Sequence, residues 1–225
     1  MKISRYIDHA VLKPALSPEE VRQAIQLGID YDVYTVCMQP RDVALAAKMC
    51  KGTNTKVSAV VDFPHGAGGV AAKRAIAQSC LDAGAVELDM VMNYGAARGG
   101  EWDTVAEEIR AVVELAHVRG ALVKVIFETC ELTAEEIAKA TEVSIQAGAD
   151  FVKTSTGFAK SGATVEAVQI MLDAAKGRAS VKPSGGIRSY ADAKRYVDMG
   201  AKRLGVGFST TPVLCKGEGE STETY

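Results

Sequence analysis

The chain has no CxxC pair, no apolar run that approaches the length of a membrane span, and almost no net charge: 26 basic residues stand against 28 acidic ones, leaving −2. Its five cysteines, Cys37, Cys50, Cys80, Cys130 and Cys215, are odd in number and scattered, which argues for reduced thiols and against a disulfide framework or a zinc site. His9, His65 and His117 are far apart and lack HxxxH spacing, so they offer no ligand set for a metal centre. Without a basic excess there is no general field for nucleic acid, and affinity for anions has to come from a local site. The opening "MKISRYIDHAVL" lacks the long apolar core and small-residue cleavage site of a signal peptide. The expectation is a cytoplasmic protein with no membrane or nucleic-acid partner.

What is present is a chain of 225 residues, 48% hydrophobic, long enough for one large domain and without a linker to separate two. Eight short apolar or β-branched runs alternate with longer stretches of helical period: 6–12, 34–38, 56–63, 86–93, 121–129, 150–155, 179–185 and 202–207. Ser17, Pro18 and Glu20 form a capping box that opens the first helix, and Thr133 with Glu136 repeats the device before a helix that stops at Gly148. A further amphipathic stretch runs from Trp102 to near Gly120. The phrases "DAGAVELD", "QAGADFVK" and "DMGAKRLG" each set a Gly-Ala turn between a helix end and the next strand. Eight such units predict an α/β fold, a single-domain (β/α)8 TIM barrel over 1–215, with a short last helix and a flexible polar tail over 216–225. An open doubly wound sheet would show a glycine-rich fingerprint after the first strand, and "IDHAVLKPALS" has none.

Charged residues stand inside these apolar strands. Strand side chains alternate between faces, so Glu87 pairs with Asp89, Lys124 aligns with Ile126 and Glu128, and Lys153 and Lys182 fall on the sixth and seventh strands. In a barrel this places a charged cluster in the interior near the C-terminal mouth, with Asp8 and Asp62 able to join it. Lys124 with Glu87 is either a buried ion network or part of the site. Desolvation offsets much of the attraction in a buried ion pair, so stability alone is a poor reason to gather three lysines. Neighbouring strands lie about 4.8 Å apart, so Lys153 and Lys182 disfavour each other's protonation and the pKa of at least one is expected to fall. A neutral lysine attacks carbonyl carbon, and the resulting iminium is an electron sink for breaking or making an adjacent C–C bond. Asp89 can relay protons to it.

Two glycine-bearing strand ends follow, "KPSGGIRS" and "LGVGFSTT". The seventh and eighth strands of barrels commonly carry a phosphate site in their loops. Gly185, Gly186, Gly205 and Gly207 let an anion approach the backbone, Ser184, Ser209 and Thr210 offer hydroxyls, and Thr156 with Gly157 closes the cradle from the sixth strand.

The runs "IDHAVLKP", "VCMQP", "VDFPHG", "GAVELDMVMN", "FETCELT", "DFVKTSTGF" and "VKPSGGIRS" together resemble the deoxyribose-phosphate aldolases, class I aldolases with a (β/α)8 barrel. The resemblance implies reversible cleavage of 2-deoxy-D-ribose 5-phosphate to D-glyceraldehyde 3-phosphate and acetaldehyde through a lysine Schiff base, with no cofactor. It makes Lys153 the Schiff-base lysine, Lys182 the second lysine and Asp89 the proton-transfer acid, and it gives Asp8 a contact with a substrate hydroxyl. It further implies a homo-oligomer, with a dimer favoured, and a C-terminal Tyr225 that assists proton transfer. The chain departs from the family pattern at Ala10, where threonine is common, and at Gly207–Phe208, where paired serines are common. Cys37, at the end of the second strand, is either a small buried residue or a thiol exposed to reactive aldehydes. Two alternatives stay open: a Schiff-base aldolase for another phosphorylated sugar or keto acid, and a non-catalytic sugar-phosphate-binding barrel.

Overall fold

Residues 2–217 and 219–222 are described by the computed structural model; Tyr225 lies outside them. Eight strands form one parallel sheet: β1 (Ile7–Val11), β2 (Thr35–Met38), β3 (Lys56–Val61), β4 (Glu87–Val91), β5 (Leu122–Ile126), β6 (Phe151–Lys153), β7 (Ser180–Lys182) and β8 (Leu204–Gly207). Their order runs β7-β6-β5-β4-β3-β2-β1-β8, with every ladder parallel. The ring closes between the two ends through the bridge Ser184↔Gly205 and the Gly205 N–H, which donates to Pro183 O at 2.8 Å. The helices are α1 (Pro18–Asp30), α2 (Val43–Cys50), α3 (Gly69–Asp82), α4 (Tyr94–Arg98), α5 (Trp102–His117), α6 (Ala134–Gln146), α7 (Val165–Ala175), α8 (Tyr190–Met199) and α9 (Thr211–Lys216). This is the expected (β/α)8 barrel. No helix among the described residues is long and apolar enough to cross a membrane.

Local chemistry sets the boundaries. Both predicted capping boxes are formed, with Ser17 accepting from Glu20 N–H and Thr133 from Glu136 N–H. The Gly-Ala turns share one geometry: Gly84, Gly148 and Gly200 have φ of +105°, +93° and +117°, a region costly for other residues, and the following alanine N–H reaches back to the helix's last turn. Several strands stop short of their predicted ends because the next residues do loop work. Asn93 caps α4, Pro183 has no N–H to donate, and Asp62 and Glu128 turn into the left-handed region at φ +52° and +56°.

The two faces of the strands differ in kind. Outward positions such as Val36, Met38, Leu88, Met90, Val123, Val125, Val152 and Val206 are apolar, fully buried and part of the large core beneath the helices. His9 is the polar exception, its Nδ1 at 2.8 Å from Thr211 Oγ1 and its Nε2 at 2.9 Å from Ala24 O. Burial lowers its pKa to about 4, so it is neutral at pH 7. Ala10, Leu12, Cys37 and Val60, of opposite parity, form a separate small cluster with Phe63 inside the barrel. They share that inner face with Asp8, Glu87, Asp89, Lys124, Lys153 and Lys182.

Within the expected tail, Lys216 ends α9 and Ser221 is docked: its N–H donates to Arg188 O at 2.9 Å and its Oγ accepts from Thr210 at 2.9 Å. The last helix is six residues long, as short as expected.

Candidate active site

The interior charges form two tiers. In the lower one Arg203 donates to both oxygens of Glu87 at 3.0 Å and to Asp8 Oδ1 at 2.7 Å, and its guanidinium lies 3.5 Å from the centre of the Tyr34 ring. Lys124 Nζ meets three carboxylates, Glu87 at 2.7 Å, Asp89 at 2.8 Å and Asp8 at 2.9 Å. The open question about Lys124 and Glu87 is answered by this geometry: they belong to one buried network that also supports the upper tier. Arg203 was not singled out in the sequence, although it shares strand parity with Gly205 and Gly207.

In the upper tier Asp89 Oδ2 accepts from both Lys153 at 2.9 Å and Lys182 at 2.7 Å. The two lysines are directly opposed in the β6–β7 register, and Lys182 also donates to Asp8 Oδ2 at 2.5 Å. All three lysines are buried, with side-chain exposures of 0% for Lys124, 1% for Lys182 and 3% for Lys153.

The charges explain one another. Burial alone would raise the Asp89 carboxyl, but Lys124, Lys153 and Lys182 outweigh it and hold it well below the usual range. Asp8 is held down in the same way by Lys124, Lys182 and Arg203. Lys124 shows the reverse balance: burial opposes its charge, yet Asp8, Asp89 and Glu87 hold its pKa well above normal. Lys182 is pushed below the usual lysine value, chiefly by burial, with Lys124 and Lys153 adding to the effect against Asp8 and Asp89. The expected fall at one of the paired lysines is therefore present, but desolvation and not the neighbouring ammonium is its main cause. Three carboxylates (Asp8, Glu87, Asp89) face four cations (Lys124, Lys153, Lys182, Arg203), so the fully ionised set carries 4 − 3 = +1. Loss of one lysine proton neutralises it.

Asp8 is fully buried, and its carboxylate accepts from Thr35, Lys124, Lys182 and Arg203. Asp62 does not join the cluster; it pairs with Lys73 at 2.5 Å, and Lys73 in turn donates to Gly66 O at 2.6 Å and meets Glu108 at 2.9 Å, locking the loop after β3. Cys37 is 1% exposed and burial raises its thiol pKa, which fits the small buried residue.

At the anion end, the hydroxyls of Ser184, Thr156 and Thr210 are spent inside the protein, on Ser155 O, Glu128 and Ser221 respectively. The Gly205 N–H closes the barrel and the Phe208 N–H donates to Ala10 O at 3.1 Å. Gly157, Gly207, Phe208 and Ser209 are half-buried and Gly186 is exposed. A β-carbon on Gly185 would stand 3.0 Å from Gly162 Cα and 3.2 Å from Gly157 Cα, whereas one on Gly186 would meet nothing within 4 Å. Open space thus lies beside Gly186, backed by three tightly packed glycines. Arg188, two residues on and half-buried, has a buried Nε without a partner among the described residues. It stands in the quoted "GGIRS", and a basic residue after a glycine pair was the available signal.

Across the mouth, Phe158 from the β6–α7 loop meets Phe63 from the β3–α3 loop edge-on, ring centres 5.2 Å apart. Beside them is a cleft of about 560 Å³ lined by Pro14, Gln39, Pro40, Arg41, Phe63, Pro64 and Phe158.

A family model described as DeoC/LacD family aldolase matches residues 3–211. A curated deoxyribose-phosphate aldolase of Streptococcus sanguinis is 44% identical over 218 residues, 97% of this chain and 97% of that one. Another of that name, from Thermococcus gammatolerans, is 46% identical over 207 residues, 91% of this chain and 92% of that one. Among solved structures, the deoxyribose phosphate aldolase of Aeropyrum pernix, described as a unique tetramer, matches with a TM-score of 0.88 and 32% identity over 95% of this chain and 89% of that one.

Proposed function

The chain belongs to the DeoC/LacD family of aldolases, and from that premise we propose that it cleaves 2-deoxy-D-ribose 5-phosphate reversibly to D-glyceraldehyde 3-phosphate and acetaldehyde through a Schiff base on Lys153. The observation that carries this reading is the single carboxylate oxygen, Asp89 Oδ2, shared by Lys153 at 2.9 Å and Lys182 at 2.7 Å. It joins a nucleophile to a proton store without a solvent step.

In the cleavage direction Lys153, as the free amine, attacks C1 of the open-chain aldehyde, and loss of water leaves an iminium. The proton on the C3 hydroxyl passes to the Asp89–Lys182 pair, C3 becomes an aldehyde, and the C2–C3 bonding electrons move into the C1–C2 bond as the iminium nitrogen is neutralised. The bond broken is fixed by carbon count, since acetaldehyde takes two carbons and glyceraldehyde 3-phosphate three. Protonation of C2 and hydrolysis of the imine release acetaldehyde and regenerate Lys153. Gly186, Gly185, Gly157, Gly207 and Ser209 form the phosphate end with Arg188, while Gly205 and Phe208 shape it and Thr156 supports it from the loop after β6. Asp8 acts through Lys182, which it holds. Tyr225 assists protonation at C2. The protein works in the cytoplasm as a homo-oligomer, with a dimer the favoured state.

Incubation with 2-deoxyribose 5-phosphate, followed by separate assays for both products, tests the reading. The expected result is equimolar acetaldehyde and glyceraldehyde 3-phosphate from the wild type and neither from Lys153→Ala. Cleavage of a ketose or keto acid phosphate in preference to the deoxy sugar would replace this substrate with another of the Schiff-base class.

A further inference from the structure

Glu128 follows β5, one strand from Lys153, and carries four features that its position alone does not require. Its backbone is left-handed at φ +56° and ψ +62°, a conformation that costs a residue of this type energy and persists only where its surroundings hold it. Its side chain is 2% exposed. One carboxylate oxygen accepts the Thr156 N–H at 3.2 Å, and the other accepts the Thr156 hydroxyl in a short hydrogen bond. Thr156 Oγ1 in turn accepts the Phe158 N–H at 3.0 Å, so the same hydroxyl ties Glu128 to the residue two further along the turn. Both carboxylate oxygens are thus engaged by Thr156, and these bonds hold the carboxyl in place against the burial that pushes its pKa above the ordinary value.

We infer that Glu128 is a positioning residue, which through Thr156 sets the turn that begins directly after Lys153 and thereby shapes the grip on the substrate phosphate. The inference rests on the aldolase reading and on the assignment of the anion end. The turn it holds is coupled to that end by close contacts: Ser184 donates its hydroxyl to Ser155 O, the Ala163 N–H reaches Ser184 O and Gly185 O at 3.0 Å each, and Gly157 packs against Gly185. A turn released at Thr156 would shift Gly157 against Gly185 and swing Phe158 away from Phe63. Lys153 itself is set on β6 by its own ladder and by Asp89, so the amine stays in place. The effect of Glu128 is thus directed at the phosphate and not at the chemistry of C1.

Glu128→Gln keeps the shape but removes the charge and replaces the short hydrogen bond to the Thr156 hydroxyl by a weaker amide contact. The test compares cleavage of 2-deoxyribose 5-phosphate and of unphosphorylated 2-deoxyribose by the wild type, Glu128→Gln, Thr156→Val and the double variant. The expected result is a KM for the phosphate ester raised about tenfold in Glu128→Gln, the size of one lost hydrogen bond to a charged group. Its kcat should change less than about threefold, and the unphosphorylated sugar should show little further loss. Thr156→Val removes only the hydroxyl; it carries the same expectation if Glu128→Gln does not fold, and the double variant should be no worse than the single ones. Equal losses for both sugars, or additive losses in the double variant, would overturn the inference and leave Glu128 a general structural residue. A wild type indifferent to the phosphate would remove the anion end itself, and the inference with it.

Discussion

The lower and upper tiers of the barrel interior use the same residue types at nearly the same burial and come to opposite results. Lys124 touches three carboxylates and is held charged, Lys182 touches two and is pushed below the usual lysine value, and Lys153 touches one. Burial alone therefore does not decide the charge of a lysine. Between Lys124 and Lys182 the difference lies in how many carboxylates stand against the burial, and the lower tier serves the upper one by occupying Asp8 and one oxygen of Asp89.

The sharpest way to break this contrast is Lys153→Ala, which should lower kcat/KM by roughly 10^4-fold or more, the scale seen when a nucleophile is removed. Asp89 keeps Lys124 and Lys182, so the denaturation midpoint should move little. Lys124→Met reverses the pattern. It takes the shared central cation from three carboxylates, which keep only Arg203, Lys182 and Lys153, and should cost about 3–5 kcal/mol of stability in urea unfolding, with Schiff-base formation retained by the molecules that remain folded.

Stability against pH separates the tiers more gently. His9 has a folded pKa of about 4, below its ordinary 6.5, so its contribution is present above 6.5 and is lost as pH falls towards 4. Asp8 and Asp89 are held below 3.8, so theirs is present above that value and lost as pH falls further. Each titrating group contributes a slope of about 1.4 kcal/mol per pH unit. At the alkaline end the tiers diverge. The stabilisation from Lys124, raised above 10.5, is fully present below that pH and lost as pH rises through its folded value, whereas the burial cost of Lys182 is relieved as pH rises towards 10.5. Chemical denaturation at a series of pH values should show a loss of stability that begins near pH 6.5 and steepens below about 4. The smallest effect belongs to the outer layer. Gly200→Ala, at φ +117° with Leu172 a tolerable 3.7 Å away, should cost about 1–2 kcal/mol by conformation alone and leave kcat unchanged.

The barrel was legible because its signals are local: capping boxes, Gly-Ala turns and period-two strands each depend on residues close in sequence. The meeting of Lys153, Lys182 and Asp89 was legible for a similar reason, since they stand as charges in apolar strands. The partners of the rest were not. Asp62 shares strand parity with inward residues, but its left-handed backbone turns it to Lys73. Ser184 and Thr210 read as free hydroxyl donors because nothing in a loop sequence tells where its hydrogen bonds close. Glu128 was aligned with Lys124 and Ile126 by alternation, and the turn at its own backbone took it out of that row to Thr156.

The most direct test of the central claim, that the upper tier holds the nucleophile and the lower tier does not, is borohydride reduction in the presence of acetaldehyde followed by peptide mass mapping. The account predicts one reduced two-carbon adduct, on Lys153, absent from Lys153→Ala. An adduct on Lys124 or Lys182, or none on any of the three, would contradict it.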